Sequence, residues 1–387
     1  MLAMKKSRSK IDISVVMPCL NEEKTVGKCI RWAKEGLLKL GEVKSEIIIV
    51  DNGSCDHSKE IAKRFGAHVL DCPEKGYGRA YKKGLDYARG KYIIIADSDG
   101  TYDLREIQYF VKRLREGYEL VLGSRFQRKR NRKSMPLLHR IVGNPLLTLI
   151  INIFHRCRIS DSQTGLRAFT RAAYLKMNLK SGGMEFASEM IIKAIAYKLK
   201  IMEISISYYP RFGVSKLSPI KDTWRIIIST LFYSPTYVLV LPGIVAFVFG
   251  IIGTAVLVSG PLYILGNNKY LDVHTMTACL FLSLIGLHVI LIGIYSRLYM
   301  VKRLGITGGF ITNLLLRNIS LEKLFFTGLV FIILALGIIF DITLGWIHSG
   351  FAELSREREF IVALGLGSMG GLLASSSFLI ELMQKDV

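Results

Sequence analysis

Through the first 122 residues, short apolar runs alternate with segments whose apolar residues recur every three or four positions. Ile13-Ser14-Val15-Val16-Met17 reads as a strand stopped at Pro18. Val26, Ile30, Ala33 and Leu37 fall on one face of the helix expected next, with Asn21 placed to cap it. The β-branched run over residues 46–50 suits a strand buried on both faces. Further strand signals cover residues 67–70, 91–96 and 118–122, and helix signals cover 56–65, 76–88 and 103–116. This order predicts a Rossmann-like α/β domain with a mostly parallel sheet. Ligands of such sheets sit beyond the carboxyl ends of the strands, where the polar clusters at residues 18–23, 51–54 and 97–103 fall.

The pattern changes in the back half. Four apolar runs, at about 236–258, 275–295, 324–346 and 360–380, are each long enough (~30–35 Å as helix) to cross a hydrocarbon core of ~30 Å. No charged residue occurs between Arg225 and Lys269. These runs predict an all-α transmembrane domain of four helices. Shorter amphipathic stretches near 136–157, interrupted by Asn144-Pro145, and near 217–235 read as interfacial helices. The 296–323 loop carries Arg297, Lys302, Arg303, Arg317 and Lys323 against Glu322 alone, which predicts that it is cytoplasmic. Four spans then place the α/β domain and both termini on the cytoplasmic side of a cell membrane. Asp341 reads as an interfacial residue at the outer end of the third span, and His288 as a packed residue of the second.

Charge follows the same division. The chain has a formal net charge of +21; residues 1–235 hold 43 Lys/Arg against 23 Asp/Glu, and residues 236–387 hold 9 against 8. The expected organisation is a basic tail at 1–10, an α/β domain at 11–235 and a membrane domain at 236–387. A basic front half must meet something anionic. No nucleic-acid recognition motif is present, so no nucleic-acid partner is expected. The six cysteines form no C-x-x-C pair, which argues against a zinc site or disulfide framework. Residues 1–10 lack the apolar segment of a signal peptide. Nothing here sets an oligomeric state.

Asp97-Ser98-Asp99 supplies the chemistry. A buried strand delivers two carboxylates, one residue apart, to the carboxyl edge of the sheet. Hard divalent cations such as Mg2+ or Mn2+ take one or two carboxylates plus substrate phosphate oxygens. Such an ion neutralises charge on a leaving diphosphate. From residues 125 to 140 there are seven basic residues and no acidic one, a surface suited to phosphates or lipid headgroups.

With Met17-Pro18-Cys19-Leu20-Asn21-Glu22-Glu23 and Val50-Asp51-Asn52-Gly53-Ser54, that motif resembles inverting family 2 glycosyltransferases of GT-A fold. Gly123-Ser124-Arg125-Phe126, Ser160-Asp161-Ser162-Gln163-Thr164-Gly165-Leu166-Arg167-Ala168-Phe169 and Phe212-Gly213-Val214-Ser215-Lys216-Leu217 are similar to the dolichyl- or polyprenyl-phosphate mannose and glucose synthases. The resemblance covers about residues 11–235, and the four-helix tail resembles membrane-anchored members. It implies that Pro18, Leu20, Glu22, Asp51 and Asn52, the loop from Lys75 to Arg79, and Asp97, Ser98 and Asp99 bind the nucleotide-sugar. Asn52 stands where mannose-type members commonly have a second Asp. Asp97, Asp99 and Thr101 would hold the metal, Thr101 replacing a common Gln. Arg125, Arg140, Arg211 and Lys216 would hold the lipid phosphate and donor diphosphate. Asp161 and Asp99 are the implied catalytic residues, with Asp161 orienting the acceptor or acting as base. Arg167 is expected to buttress Asp161 through an ion pair.

The implied reaction is inverting transfer of a sugar from a nucleotide-sugar to a dolichyl or polyprenyl phosphate, at a lipid bilayer. UDP-glucose is the favoured donor, with GDP-mannose and UDP-N-acetylglucosamine as alternatives. A processive polysaccharide synthase is disfavoured, because Gln163 and Arg167 are out of step with a Q-x-x-R-W motif and Trp is missing. A non-catalytic membrane scaffold or transporter is disfavoured by the intact acidic pair.

Overall fold

The computed structural model describes residues 11–126, 143–212, 219–263, 270–304, 321–352 and 355–385. It divides into two compact units, Met1–Tyr233 and Ser234–Val387. In chain order the first unit contains β1 (Ile13–Cys19), α1 (Val26–Leu38), β2 (Ser45–Asp51), α2 (Ser58–Arg64), β3 (His68–Asp71), α3 (Tyr77–Tyr87), β4 (Tyr92–Ile95), α4 (Ile107–Arg115) and β5 (Leu120–Ser124). Then come α5 (Asn144–His155), β6 (Arg167–Thr170), α6 (Arg171–Met177), α7 (Phe186–Ala196), β7 (Ile201–Ser205) and α8 (Pro219–Phe232).

Seven strands form one sheet in the order β3-β2-β1-β4-β6-β5-β7. All neighbours are parallel except at β6, which runs antiparallel to both β4 and β5. Two apolar layers cover the faces. One joins Val15 and Met17 to Ile30, Phe110 and Val111, and the other joins Val16 and Ile48 to Tyr81, Phe169 and Met190. Successive side chains of β1 therefore alternate between two cores, which is why the strand reads as a continuous apolar run.

Some details differ from the sequence reading. Asn21 does not cap α1; that helix starts after Thr25 and has no side-chain cap. Asn21 instead adopts a left-handed backbone (φ 52°) and accepts a hydrogen bond from the Cys55 amide at 2.7 Å. Short polar side chains tolerate that conformation, and the loop after β1 is thereby stitched to the loop after β2. The expected helix at 103–116 begins as a 3-10 turn, Leu104–Glu106, capped by the Asp103 carboxylate.

α5 buries Leu147, Thr148 and Ile151 and exposes Leu146, Leu149 and Ile153. α8 buries Ile226 and Thr230 and exposes Trp224, Ile228 and Phe232. Each thus carries apolar side chains on two faces, one of them open.

The second unit contains α9 (Leu241–Val258), α10 (Val273–Leu304), α11 (Leu321–His348) and α12 (Glu357–Lys385). Candidate spans are Thr236–Val258, Val273–Val301, Leu321–His348 and Glu357–Met383, four helices long and apolar enough to cross a membrane. α9 packs on α10, and α11 on α12. Asp341 is exposed and pairs with Arg356 at 2.8 Å, and Asp272 pairs with Arg358. His288 is exposed rather than packed.

Candidate active site

Asp97 and Asp99 follow β4 at the sheet edge, where they were expected. Hydrogen bonds to flanking loops fix the turn. The Ser98 hydroxyl donates to the Pro18 carbonyl at 2.7 Å, and the Thr25 hydroxyl donates to the Ser98 carbonyl at 2.8 Å. Ser98 is 2 % exposed, so its side chain ties the acidic turn to β1.

Each carboxylate has one oxygen held. Asp97 Oδ1 accepts from the Tyr77 and Tyr81 hydroxyls at 3.0 and 3.2 Å. On its other side lies Gly165, where a Cβ would come within 2.5 Å of Asp97 Oδ2, so only glycine fits. Asp99 Oδ1 accepts from the Thr101 amide at 3.1 Å and the Thr101 hydroxyl at 2.6 Å. Thr101, expected as a third metal ligand, orients Asp99 here.

Arg211 approaches from a distant segment. A bridge between Tyr102 and Tyr208 and a bond from the Tyr209 amide to the Thr101 carbonyl align residues 208–211 with the acidic turn. The Arg211 guanidinium donates to Glu22 Oε1 at 2.7 Å and lies 3.7 Å from Asp99 Oδ2. Its Nε is buried and has no hydrogen-bond partner among the described residues. Such an orphaned donor beside the acidic pair suits an anionic ligand.

Burial first, and then the neighbouring Asp99 charge, push the Asp97 carboxyl up to about 6, although Tyr77, Tyr81 and Arg211 pull it down. Two carboxylates with so little compensation fit a hard dication. Among the described residues, no group of three or more His, Cys, Asp and Glu side chains could hold a metal. An ion at Asp97 and Asp99 would take its remaining ligands from substrate oxygens or water.

Asp161 sits differently. It is fully buried and accepts from Arg125 Nε at 2.7 Å, Arg125 Nη2 at 2.8 Å and the Arg125 amide at 3.1 Å. The Arg125 guanidinium also lies 5.4 Å from the Tyr208 ring centroid. Arg167 does not buttress Asp161. It is 1 % exposed, and its guanidinium donates to the carbonyls of Ser162, Thr164 and Ala187. The fork holds the loop carrying Asp161 by its backbone, and Arg125 provides the ion pair.

Glycosyl transferase family 2 matches residues 14–180, and the glycosyltransferase family 2 C-terminal transmembrane region matches residues 294–384. A low-salt glycan biosynthesis hexosyltransferase of Haloferax volcanii is 35 % identical over 369 residues, covering 95 % of this chain and 88 % of that protein. The chain belongs to glycosyltransferase family 2. A dolichyl-phosphate hexose transferase of the same organism is 28 % identical, covering 54 % of this chain and 87 % of its own length. A solved Mycobacterium tuberculosis glucosyl-3-phosphoglycerate synthase with Mn2+, UDP and glucosyl-3-phosphoglycerate matches 58 % of this chain and 80 % of its own. Its TM-score is 0.46 at 22 % identity, too distant to carry an assignment.

This glycosyltransferase is an enzyme of GT-A fold joined to a multi-pass membrane domain. Its other expected site residues are spread around the sheet edge. Pro18 and Leu20 are half-buried at the end of β1. Asp51 is 2 % exposed and closes its own turn by accepting from the Gly53 and Ser54 amides, with Lys59 at 3.3 Å. Asn52 directs its amide into the protein, donating to the Cys72 and Glu74 carbonyls at 2.9 and 2.8 Å and accepting from the Gly76 amide at 2.9 Å. An Asp at this position would meet both carbonyls with repulsion. Lys75 and Arg79 are exposed, with Arg79 donating to the Lys75 carbonyl at 2.9 Å. Arg140 and Lys216 lie outside the described residues. Tyr77, Tyr81 and Tyr208 touch the site but were not singled out from sequence. The first two have one legible signal, a spacing of four on the helix preceding the acidic strand.

Proposed function

We propose that this glycosyltransferase transfers a hexose, with inversion, from a nucleotide-sugar to a dolichyl or polyprenyl phosphate. The observation that carries the reading is Arg211, whose guanidinium lies 3.7 Å from Asp99 and whose buried Nε has no partner among the described residues. Carboxylates for a cation and a guanidinium for a phosphate suit a diphosphate leaving group. The membrane domain supports a lipid acceptor, because an isoprenoid chain stays in the bilayer while its phosphate sits at the interface. The names of both Haloferax relatives agree with hexosyl transfer, and one with a dolichyl phosphate.

In the proposed reaction, a phosphate oxygen of the acceptor attacks the anomeric carbon. The bond from that carbon to the diphosphate breaks, and the nucleoside diphosphate leaves with the electron pair. One displacement converts an α-linked donor into a β-linked lipid product. A phosphate monoester has its second pKa near ~6, so the nucleophile is largely dianionic at neutral pH and needs no strong base. Asp161 therefore orients Arg125, and Arg125 holds the acceptor phosphate, with Arg140 and Lys216 as further cations. Catalysis rests on positioning and charge. A bound Mg2+ or Mn2+ at Asp97 and Asp99 would neutralise charge on the leaving diphosphate. Arg211 binds that diphosphate, and Asp51, Glu22, Pro18 and Leu20 line the nucleoside. Asn52, Ser98 and Thr101 shape these loops.

The favoured donor is UDP-glucose. The basic 296–323 loop supports a cytoplasmic catalytic domain and cytoplasmic termini. Membranes containing the protein are incubated with polyprenyl phosphate, Mn2+ and, in parallel, labelled UDP-glucose, GDP-mannose and UDP-N-acetylglucosamine. The expected result is a labelled glycolipid, strongest with UDP-glucose. Glycolipid with another donor overturns the sugar; no glycolipid with any donor, or long polymer, overturns the reaction.

A further inference from the structure

The two hydroxyls on Asp97 come from one helix. Tyr77 and Tyr81 are four residues apart at the start of α3, so their side chains share a face. Their rings meet edge to face at 4.8 Å, and Tyr81 stacks on Phe186 at 5.4 Å. Both hydroxyls converge on Oδ1 of Asp97, while Gly165 closes against Oδ2. A carboxylate gripped on both sides has one orientation open to it.

The helix start is itself anchored. The Arg79 amide donates to the Gly182 carbonyl at 3.1 Å, and a Cβ on Gly78 would lie 2.3 Å from the Ser181 carbonyl. That loop is held in turn by Glu189, 0 % exposed, which accepts from the Lys180 and Ser181 amides and pairs with Lys193 at 2.7 Å. On the opposite flank, Asn52 ties residues 72–76, the segment leading into α3. A rigid frame thus runs from the Asp51-Asn52 turn through α3 to the acidic pair.

We infer that Tyr77 and Tyr81 are positioning residues. Their hydroxyls hold Asp97 in the orientation from which, with Asp99, it engages the donor diphosphate and its divalent ion. A phenylalanine at either site would fill the same space, so packing alone does not require the hydroxyls. A buried carboxylate does require donors. Partners that orient a metal ligand typically contribute 10–100-fold in metal affinity.

The inference rests on the proposed transfer reaction, and the test separates the two. Full-length Tyr77→Phe, Tyr81→Phe and the double variant are compared with wild type. The measurements are Mn2+ affinity by electron paramagnetic resonance with the preferred nucleoside diphosphate present, kcat, acceptor KM and melting temperature. Each single substitution is expected to weaken Mn2+ binding several-fold, and the double by about 10–100-fold. kcat should fall in parallel, with acceptor KM unchanged. Mn2+ affinity and kcat within twofold of wild type in the double variant overturn the inference, as does a lowered melting temperature without loss of Mn2+ affinity. If the double variant does not accumulate, the singles decide by the same criteria. Wild type without glycolipid overturns the transfer reading instead, whatever the Mn2+ affinities.

Discussion

Two acidic sites on the same sheet edge are compensated in opposite ways. Asp161 receives both arms of the Arg125 fork and its backbone amide, and is fully buried. Asp97 and Asp99 face each other's charge, with Arg211 Nη1 3.7 Å from Asp99 Oδ2 and neutral hydroxyls on one oxygen of each carboxylate. A paired buried carboxylate is part of the scaffold. An under-compensated acidic pair is a place prepared for a ligand, in the proposed reaction a cation and the diphosphate it accompanies. In the proposed reaction, the difference separates the carboxylate that shapes the glycosyltransferase from those that meet its substrate.

The comparison breaks first on activity. Asp99→Ala is expected to reduce glycolipid synthesis below detection while membrane insertion, followed by carbonate extraction, stays intact. Retained turnover would remove the metal assignment. Stability should then sort the two sites the other way. Asp161→Ala removes the carboxylate partner of the buried Arg125 guanidinium, at a cost of about 3–5 kcal/mol. Asp97→Asn removes a repulsion and should leave the melting temperature of the metal-free protein unchanged or higher. Thermal unfolding of both variants in detergent checks this. Arg211→Ala removes charge-assisted bonds of about 1.5–3 kcal/mol each, so donor KM should rise by roughly ten- to a hundredfold. Steady-state kinetics with varied donor measures it.

The smallest effect concerns a third carboxylate. Glu46 is buried, which raises its pKa, but hydrogen bonds from the Ser14 hydroxyl and from the Arg89 amide and side chain outweigh burial and hold it below its ordinary value near 4.5. Its folded pKa is depressed, so its contribution is present above the unfolded pKa and lost as pH falls through the folded one. The melting-temperature gap between wild type and Glu46→Gln should be widest at neutral pH and shrink below about pH 4.

Much of this was legible in sequence. Residues 13–17, 46–50 and 91–96 carry uninterrupted apolar runs because their strands are covered on both faces. The Asp97-Ser98-Asp99 motif is local, so its place after β4 follows from the strand alone. β6 was missed because Arg167-Ala-Phe-Thr is four residues long, and its arginine serves backbone carbonyls. The pairs that define the site are long-range. Arg125 and Asp161 are 36 residues apart, and Arg211 and Glu22 are 189 apart. No periodicity reports such contacts. Asn52 shows a subtler limit, since its place in the motif suggested the nucleotide while its amide is committed to backbone groups of residues 72–76.

The most direct test is the product of the purified protein given UDP-glucose, polyprenyl phosphate and Mn2+. Mass spectrometry and the anomeric coupling constant would identify it. The account predicts one hexose per lipid, joined through a single phosphate in β configuration. An α linkage, a diphosphate linkage or a hexose chain would contradict it.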